Sequence, residues 1–216
     1  LLESGIEPWV TLYHWDLPVE LQEEGGWAER DVVDRFVEYA TGITAALADR
    51  VKHWSTLNEP WCFAWLGYGE GHHAPGLRDR GCATRAAHHS LLAHGRAVKA
   101  LRAQGPSDQQ LGIVLNTYPF RPASWLSRDQ AEFVQRRTPI LEGIQTRWWM
   151  DALFTASYPQ DILAVFEPDL AGVIQEGDLQ EIAQPLDYLG INYYNDQIMV
   201  PRPGVIDEQK TDRYLE

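Results

Sequence analysis

The chain has 216 residues, of which 44% are hydrophobic and 23% are charged. This balance is typical of a soluble globular protein with a sizeable core. Asp and Glu outnumber Lys and Arg by 31 to 18, which gives a net charge of −13. That charge argues against binding to nucleic acid or to an anionic membrane surface, because both require clustered basic residues. No apolar run approaches the roughly 18 residues needed to cross a bilayer.

The first quarter of the chain alternates short strands with a long helix. "LLESG" (1–5) is typical of a helix end closed by glycine, and "PWVTLY" (8–13) is typical of a strand. Residues 31–50 carry apolar side chains at helical spacing, with Asp31 placed as the N-cap. "VKHWSTLN" (51–58) predicts a second strand.

The same alternation continues through the middle of the chain. A loop rich in Gly and His (67–81) precedes a helix predicted over 84–104. "LGIVLN" (111–116) predicts a third strand, apolar throughout as parallel strands covered on both faces tend to be.

The last third is predicted from weaker signals. A helical stretch runs from about 127 to 153, and Pro139 is expected to break or kink it. "DYLGINYY" (187–194) predicts a fourth strand. The tail, 195–216, has no clear periodicity and is predicted to be a loop.

Four strands separated by helical crossovers describe a repeated βα unit with parallel strands, so the fold class is α/β. No low-complexity linker divides the chain, and residues 1–216 are expected to form one domain. Polar residues cluster at the strand C-termini: His14, Asn58, Glu59, Asn116 and Asn192. A closed barrel and a doubly wound sheet both bind ligands at these ends, so the pattern alone does not choose between them.

Cysteine and histidine positions do not indicate a metal site. Cys62 and Cys82 lack metal-like or redox-motif spacing, which favours buried free thiols. His88, His89 and His94 fall in the predicted helix, and His89 and His94 lack a carboxylate at metal-site spacing. We therefore expect neither a metal nor a cofactor. The nine tryptophans are interpreted mainly as core, although such rings also hold sugars.

Five short motifs occur in order along the chain: "YHWDLP" (13–18), "TLNEPW" (56–61), "GHHAPG" (71–76), "PAS" (122–124) and "LGINYY" (189–194). Together they resemble the β-glucosidases of glycoside hydrolase family 1. The resemblance covers nearly the whole chain, and "TLNEP" and "HWDLP" are its most specific parts. It implies a partial TIM (β/α)₈ barrel, in which the four predicted strands are the third to sixth of eight.

The resemblance also implies a retaining mechanism, which requires two carboxyl groups about 5–5.5 Å apart. Glu59, in the "NEP" motif, is the expected acid/base. The nucleophile of the family is a glutamate in a Glu-Asn-Gly context on the seventh strand, and "ENG" occurs nowhere in this sequence. We therefore expect a central fragment that lacks the nucleophile and is inactive by itself.

Substrate contacts follow from the same resemblance. Asn58 is expected to bind the sugar 2-hydroxyl and His14 the 3-hydroxyl. Asn192 is expected beside the acid/base, and Tyr194, which strand alternation puts on the same face, beside the nucleophile. The residues expected around the leaving group are Trp61, His73 and Asn116.

Three functions stay open on the sequence. The first is hydrolysis of terminal β-D-glucosyl residues from small β-glucosides and short oligosaccharides; it is favoured because Glu59, Asn58 and His14 keep the family's residue types. The others are a non-catalytic sugar-binding or interaction module and a 6-phospho-β-glucosidase. The exact sugar and the oligomeric state are not indicated. The low cysteine content, with no export signal in view, favours a cytoplasmic location.

Overall fold

A parallel sheet forms the centre of the computed structural model, which describes residues 1–201. Its strands are β1 (Trp9–Tyr13), β2 (His53–Asn58), β3 (Gln110–Asn116) and β5 (Tyr188–Asn192). They lie in the order β1-β2-β3-β5, and every neighbouring pair is parallel. The predicted α/β class and the four predicted strands are confirmed. Within the described residues the sheet is open, with β1 and β5 as its edges.

Helices cover the crossovers between these strands. They are α1 (Val19–Glu23), α2 (Val32–Leu47), α3 (Arg80–Gln104), α4 (Arg128–Glu142), α5 (Trp148–Thr155), α6 (Gln160–Leu170) and α7 (Asp178–Ile182). Single 3₁₀ turns occur at Leu2–Ser4 and Gly26–Ala28. The predicted helices at 31–50 and 84–104 correspond to α2 and α3. No helix among residues 1–201 is long and apolar enough to cross a membrane.

Two helix features differ in detail from the sequence predictions. Pro139 lies inside α4 without ending it, and the regular helix gives way instead to a π-helical turn at Gly143–Arg147. A Cβ on Gly143 would lie 2.3 Å from the Ile162 side chain. The π-helical turn therefore begins at a residue that packs closely against α6. Asp31 occupies the predicted N-cap position of α2, but its side chain makes no capping hydrogen bond.

The loop predictions need correction at two places. Residues Cys62–Gly69 form a π-helical segment, although the loop was predicted to begin at 67. In the described part of the tail, β6 (Gln197–Met199) pairs in parallel with β4 (Phe120–Pro122). Three-residue strands carry too little periodicity to be seen in a sequence. Residues 202–216 of the predicted tail lie outside the described residues.

Helix α3 provides the main helical packing against the outer face of the sheet. Fifteen of its residues are buried, including His88, His89 and His94. Burial lowers the pKa of His89 to about 4 and that of His94 to about 3, so both rings are neutral at physiological pH. The predicted buried state of the thiols holds for Cys62, whereas Cys82 is half-buried.

A buried ionic network joins α3 to α7 and to the loop before α2. Arg30 donates to the Asp178 carboxylate through Nη1 at 2.9 Å, and His88 Nε2 lies 3.0 Å from Asp178 Oδ2. His88 Nδ1 lies 2.9 Å from the Tyr158 hydroxyl. Asp178 is only 3% exposed, so these partners compensate a charge that water does not reach.

Candidate active site

The candidate site lies at the C-terminal ends of β2, β3 and β5. Glu59 directly follows β2, Asn116 ends β3 and Asn192 ends β5. Asn116 and Asn192 are register partners, so their positions are fixed by the sheet itself. The rim of strand C-termini is where parallel α/β sheets place their functional side chains.

A local distortion of the backbone sets the direction of the Glu59 side chain. The β2–β3 register advances three residues along β2 but two along β3 between Ser55 and Asn58, which is a bulge. Glu59 then adopts a left-handed conformation with φ of 47°, and its N–H donates to the Val114 carbonyl at 2.8 Å. Non-glycine residues in this region carry strain, which clusters at functional sites.

The Glu59 carboxyl is buried and held at both oxygens. Glu59 is only 5% exposed. Asn192 Nδ2 donates to Oε1 at 2.6 Å, and the Cys62 thiol donates to Oε2 at 3.2 Å. Asn116 Nδ2 in turn donates to the Cys62 sulfur at 3.5 Å. We call Asn58, Glu59, Cys62, Asn116 and Asn192 the carboxylate cluster.

Asn58 joins this cluster to the residues that follow β1. Its Oδ1 accepts a 3.2 Å hydrogen bond from Asn192 Nδ2, and its Nδ2 lies 3.4 Å from His14 Nε2. Trp15, which has a φ of 88°, donates from its indole nitrogen to the Asn58 carbonyl at 2.7 Å. Asn58 is buried while His14 is exposed, so the imidazole is open to a ligand.

The three other predicted site residues make no described hydrogen bond to the carboxylate cluster. The His73 ring packs 5.3 Å from the Trp15 ring, and Trp61 has a buried indole nitrogen without a hydrogen-bond partner in the described chain. Tyr194 is 69% exposed, and no described hydrogen bond joins it to the carboxylate cluster. The predicted strand extended to 194, but β5 ends at Asn192, so strand alternation does not determine where Tyr194 points.

Cys62 and Tyr118 were not predicted as site residues. Burial raises the pKa of the Cys62 thiol far above its usual range, and the hydrogen bond to Glu59 adds to the rise. Burial also raises the pKa of Tyr118; its bond with Asn116 opposes that rise, and the nearby Glu59 charge adds to it. The only sequence signal for Cys62 was its position one helical turn after Glu59.

Comparisons with known proteins identify the family and relatives of this chain. The sequence model of the family described as glycosyl hydrolase family 1 matches residues 1–214. The chain belongs to glycosyl hydrolase family 1. It is 39% identical over 204 residues to a 1,4-beta-D-glucan glucohydrolase from Thermotoga neapolitana, covering 94% of this chain and 47% of the relative. It is 40% identical over 199 residues to Beta-glucosidase A from Thermotoga maritima, covering 92% of this chain and 43% of that protein.

Solved structures of family 1 members share the fold. The psychrophilic beta-glucosidase BglU from Micrococcus antarcticus superposes with a TM-score of 0.86 at 41% identity, covering 94% of this chain and 42% of that one. A family 1 β-glucosidase from Thermotoga maritima gives 0.81 at 39% identity, covering 91% and 43%. This family 1 chain therefore spans less than half the length of these relatives, and its open sheet is part of a TIM barrel. Within residues 1–201 no group of three or more His, Cys, Asp or Glu side chains is placed to hold a metal ion.

Proposed function

We propose that this chain is the central part of a retaining β-glucosidase, in which Glu59 is the acid/base. The observation that carries the proposal is the Glu59 carboxyl, buried at the end of β2 and bonded at both oxygens, beside Asn58 and His14. Membership of glycosyl hydrolase family 1, and relatives named as beta-glucosidases, support the reaction and the glucosyl substrate.

The reaction assigns Glu59 two tasks. As an acid it protonates the glycosidic oxygen while a second carboxylate attacks the anomeric carbon, and as a base it then takes a proton from the incoming water. Asn58 would bond the sugar 2-hydroxyl, a contact that strengthens as positive charge develops on the sugar. His14 would bind the 3-hydroxyl. Trp61, His73 and Asn116 would line the leaving-group side.

The nucleophile is proposed to come from a segment outside these 216 residues. The sequence holds no Glu-Asn-Gly, and in the described chain the direct partners of Glu59 are an amide and a thiol. We propose that a glutamate supplied by such a segment lies about 5–5.5 Å from Glu59, as retention requires, and that Tyr194 contacts it. The isolated chain is then expected to have no glucosidase activity.

The test uses the complete gene product, meaning the protein encoded by the whole reading frame that contains this chain. We expect it to hydrolyse a β-linked glucose disaccharide, and Glu59→Gln to lower kcat/KM by at least about 100-fold. Glu38→Gln is the matched control, because the Glu38 side chain is 78% exposed on α2. Residues 1–216 alone should give no turnover above background.

Other results would select the other functions. Hydrolysis of the 6-phosphorylated disaccharide alone would identify a 6-phospho-β-glucosidase. Binding of glucose by calorimetry without any turnover would identify a sugar-binding module. Full activity of Glu59→Gln on the disaccharide would contradict the proposed role of Glu59.

A further inference from the structure

We propose that Cys62 is a positioning residue for Glu59, and that its S–H group donates a hydrogen bond to Glu59 Oε2 while keeping its proton. This inference rests on the proposed function, since it concerns the carboxyl that would perform the acid/base step. Cys62 would not touch the substrate. It would act by fixing the plane of the Glu59 carboxyl from its buried side, while Asn192 fixes the other oxygen.

A tight turn brings the thiol back to the carboxyl. The Cys62 N–H donates to the Glu59 carbonyl at 2.8 Å, which closes a turn through Pro60 and Trp61. This turn directs the sulfur to 3.2 Å from Oε2. The geometry depends on the left-handed φ of Glu59, so the strained backbone and the thiol contact form one arrangement.

The direction of the hydrogen bond is set by the neighbours of the sulfur. Asn116 Nδ2 donates to Sγ at 3.5 Å, so the sulfur is already an acceptor on that side. The one thiol proton is then left for the carboxylate, which when ionised can only accept. Asn116 is itself 2% exposed, and its main-chain carbonyl accepts a 3.4 Å bond from Gln145 Nε2, so the residue that carries this donor is packed in place.

A neutral donor suits this position. Cys62 is 6% exposed, and burial keeps its thiol protonated, so it stabilises the carboxylate without adding a second negative charge beside it. An arginine or lysine here would pair with Glu59 and hold it ionised, which opposes its task as an acid. A weak S–H donor orients the carboxyl while leaving it able to take up and release a proton.

The hydrogen bond can be measured without activity, by infrared spectroscopy of the S–H stretch in residues 1–216. A Cys82→Ser background leaves one thiol in the chain. We expect a single band at low wavenumber, moved to higher wavenumber by Glu59→Ala, and moved less by Glu59→Gln, which keeps an acceptor oxygen. Acidification should also move the band upward in the background chain, but not in Glu59→Gln. A band that is insensitive to Glu59→Ala would overturn the proposal.

The functional part is tested in the complete gene product. Cys62→Ala should lower kcat by roughly tenfold with little change in KM, the loss typical of one hydrogen bond to a charged group. It should also move the basic limb of the kcat/KM profile to higher pH, because the ionised form of Glu59 loses a donor. Cys62→Ser, which keeps a donor, should restore most of kcat and the wild-type limb.

Each failure has a separate signature. A complete gene product without turnover would defeat the proposed function, and the infrared bands would still report on the thiol contact. If the infrared shift is present but Cys62→Ala and Cys62→Ser share one pH profile and one kcat, the contact is structural only and the positioning role is wrong. Cys82→Ala, at a half-buried thiol outside the carboxylate cluster, should leave activity unchanged.

Discussion

Asn192 Nδ2 lies 2.6 Å from Glu59 Oε1, so the amide that ends β5 directly contacts the carboxyl that follows β2. The same nitrogen lies 3.2 Å from Asn58 Oδ1. The Asn192 amide thus bonds both Glu59, the proposed acid/base, and Asn58, the residue proposed to bind the sugar 2-hydroxyl. Because β3 lies between β2 and β5 in the sheet, the hydrogen bond from Asn192 to Glu59 connects the ends of two strands that are not neighbours.

Replacing Asn192 should impair catalysis without abolishing it. We expect Asn192→Ala to lower kcat/KM of the complete gene product by about 10- to 100-fold, since a hydrogen bond to a charged group is lost. Asn192→Asp should be at least as damaging, because it puts a like charge beside Glu59. Asn195→Ala is the matched control, since that exposed amide bonds only the Asp196 carbonyl in the described chain. Equal kinetics of Asn192→Ala and Asn195→Ala would contradict this role.

The Trp15 indole should stabilise the backbone of the site. Trp15→Phe removes the 2.7 Å bond to the Asn58 carbonyl and keeps most of the ring contact with His73. We expect a loss of about 1 kcal/mol in the free energy of unfolding, measured by urea titration of the chain. Trp125→Phe is the control, because that ring is 75% exposed and its replacement should cost little.

Two glycines in helices should respond to alanine with opposite signs. A Cβ on Gly95 of α3 would lie 2.1 Å from the Glu181 carbonyl oxygen and 2.6 Å from Ile182 Cα, so Gly95→Ala must separate α3 from α7. We expect destabilisation of about 1–3 kcal/mol or more. A Cβ on exposed Gly42 of α2 would meet nothing within 4 Å, and Gly42→Ala should stabilise by about 0.5–1 kcal/mol. Thermal unfolding of both variants decides the prediction.

Asp178 should make the fold sensitive to acid. Burial raises its pKa, but hydrogen bonds from His88 and Arg30 outweigh burial and hold the pKa well below the ordinary 3.8. A lowered folded-state pKa contributes stability that is present above the unfolded value and is lost as pH falls below it. At pH 7, Asp178→Asn should cost about 3 kcal/mol, since it leaves Arg30 without its carboxylate.

The pH dependence provides the check on this prediction. The stability difference between the wild-type chain and Asp178→Asn should be constant near neutral pH and shrink as the pH is lowered below about 4. Asp161→Asn is the control, because Asp161 pairs with Arg147 at the surface, where such pairs contribute about 0–1 kcal/mol. A difference that grows on acidification would contradict the assignment.

The periodicity of apolar residues and the order of the motifs were sufficient to predict the main strands and helices of this molecule. The first three strands and the helices α2 and α3 follow from apolar spacing, because burial against the sheet enforces it. The positions of Asn58, Glu59, Asn116 and Asn192 at strand ends follow from the same pattern. Parallel strands bring their C-termini to one rim, so residues far apart in sequence were expected to meet there.

The local geometry of the site could not be predicted from the sequence. The bulge before Asn58 and the left-handed φ of Glu59 depend on how β2 meets β3, and only these turn the Cys62 thiol toward the carboxyl. The end of β5 at Asn192 likewise depends on partner strands, which is why alternation gave no position for Tyr194. The β4–β6 pair is too short to leave a pattern.

The acid/base role of Glu59 is tested most directly by leaving-group dependence. We would measure kcat/KM of the complete gene product and of its Glu59→Ala variant on β-glucosides whose leaving groups range from acidic phenols to sugars. Acid catalysis matters only when the departing oxygen needs a proton. The variant should therefore lose little activity with the most acidic phenol and about 100-fold or more with the disaccharide. An equal loss across the whole series would contradict Glu59 as the proton donor.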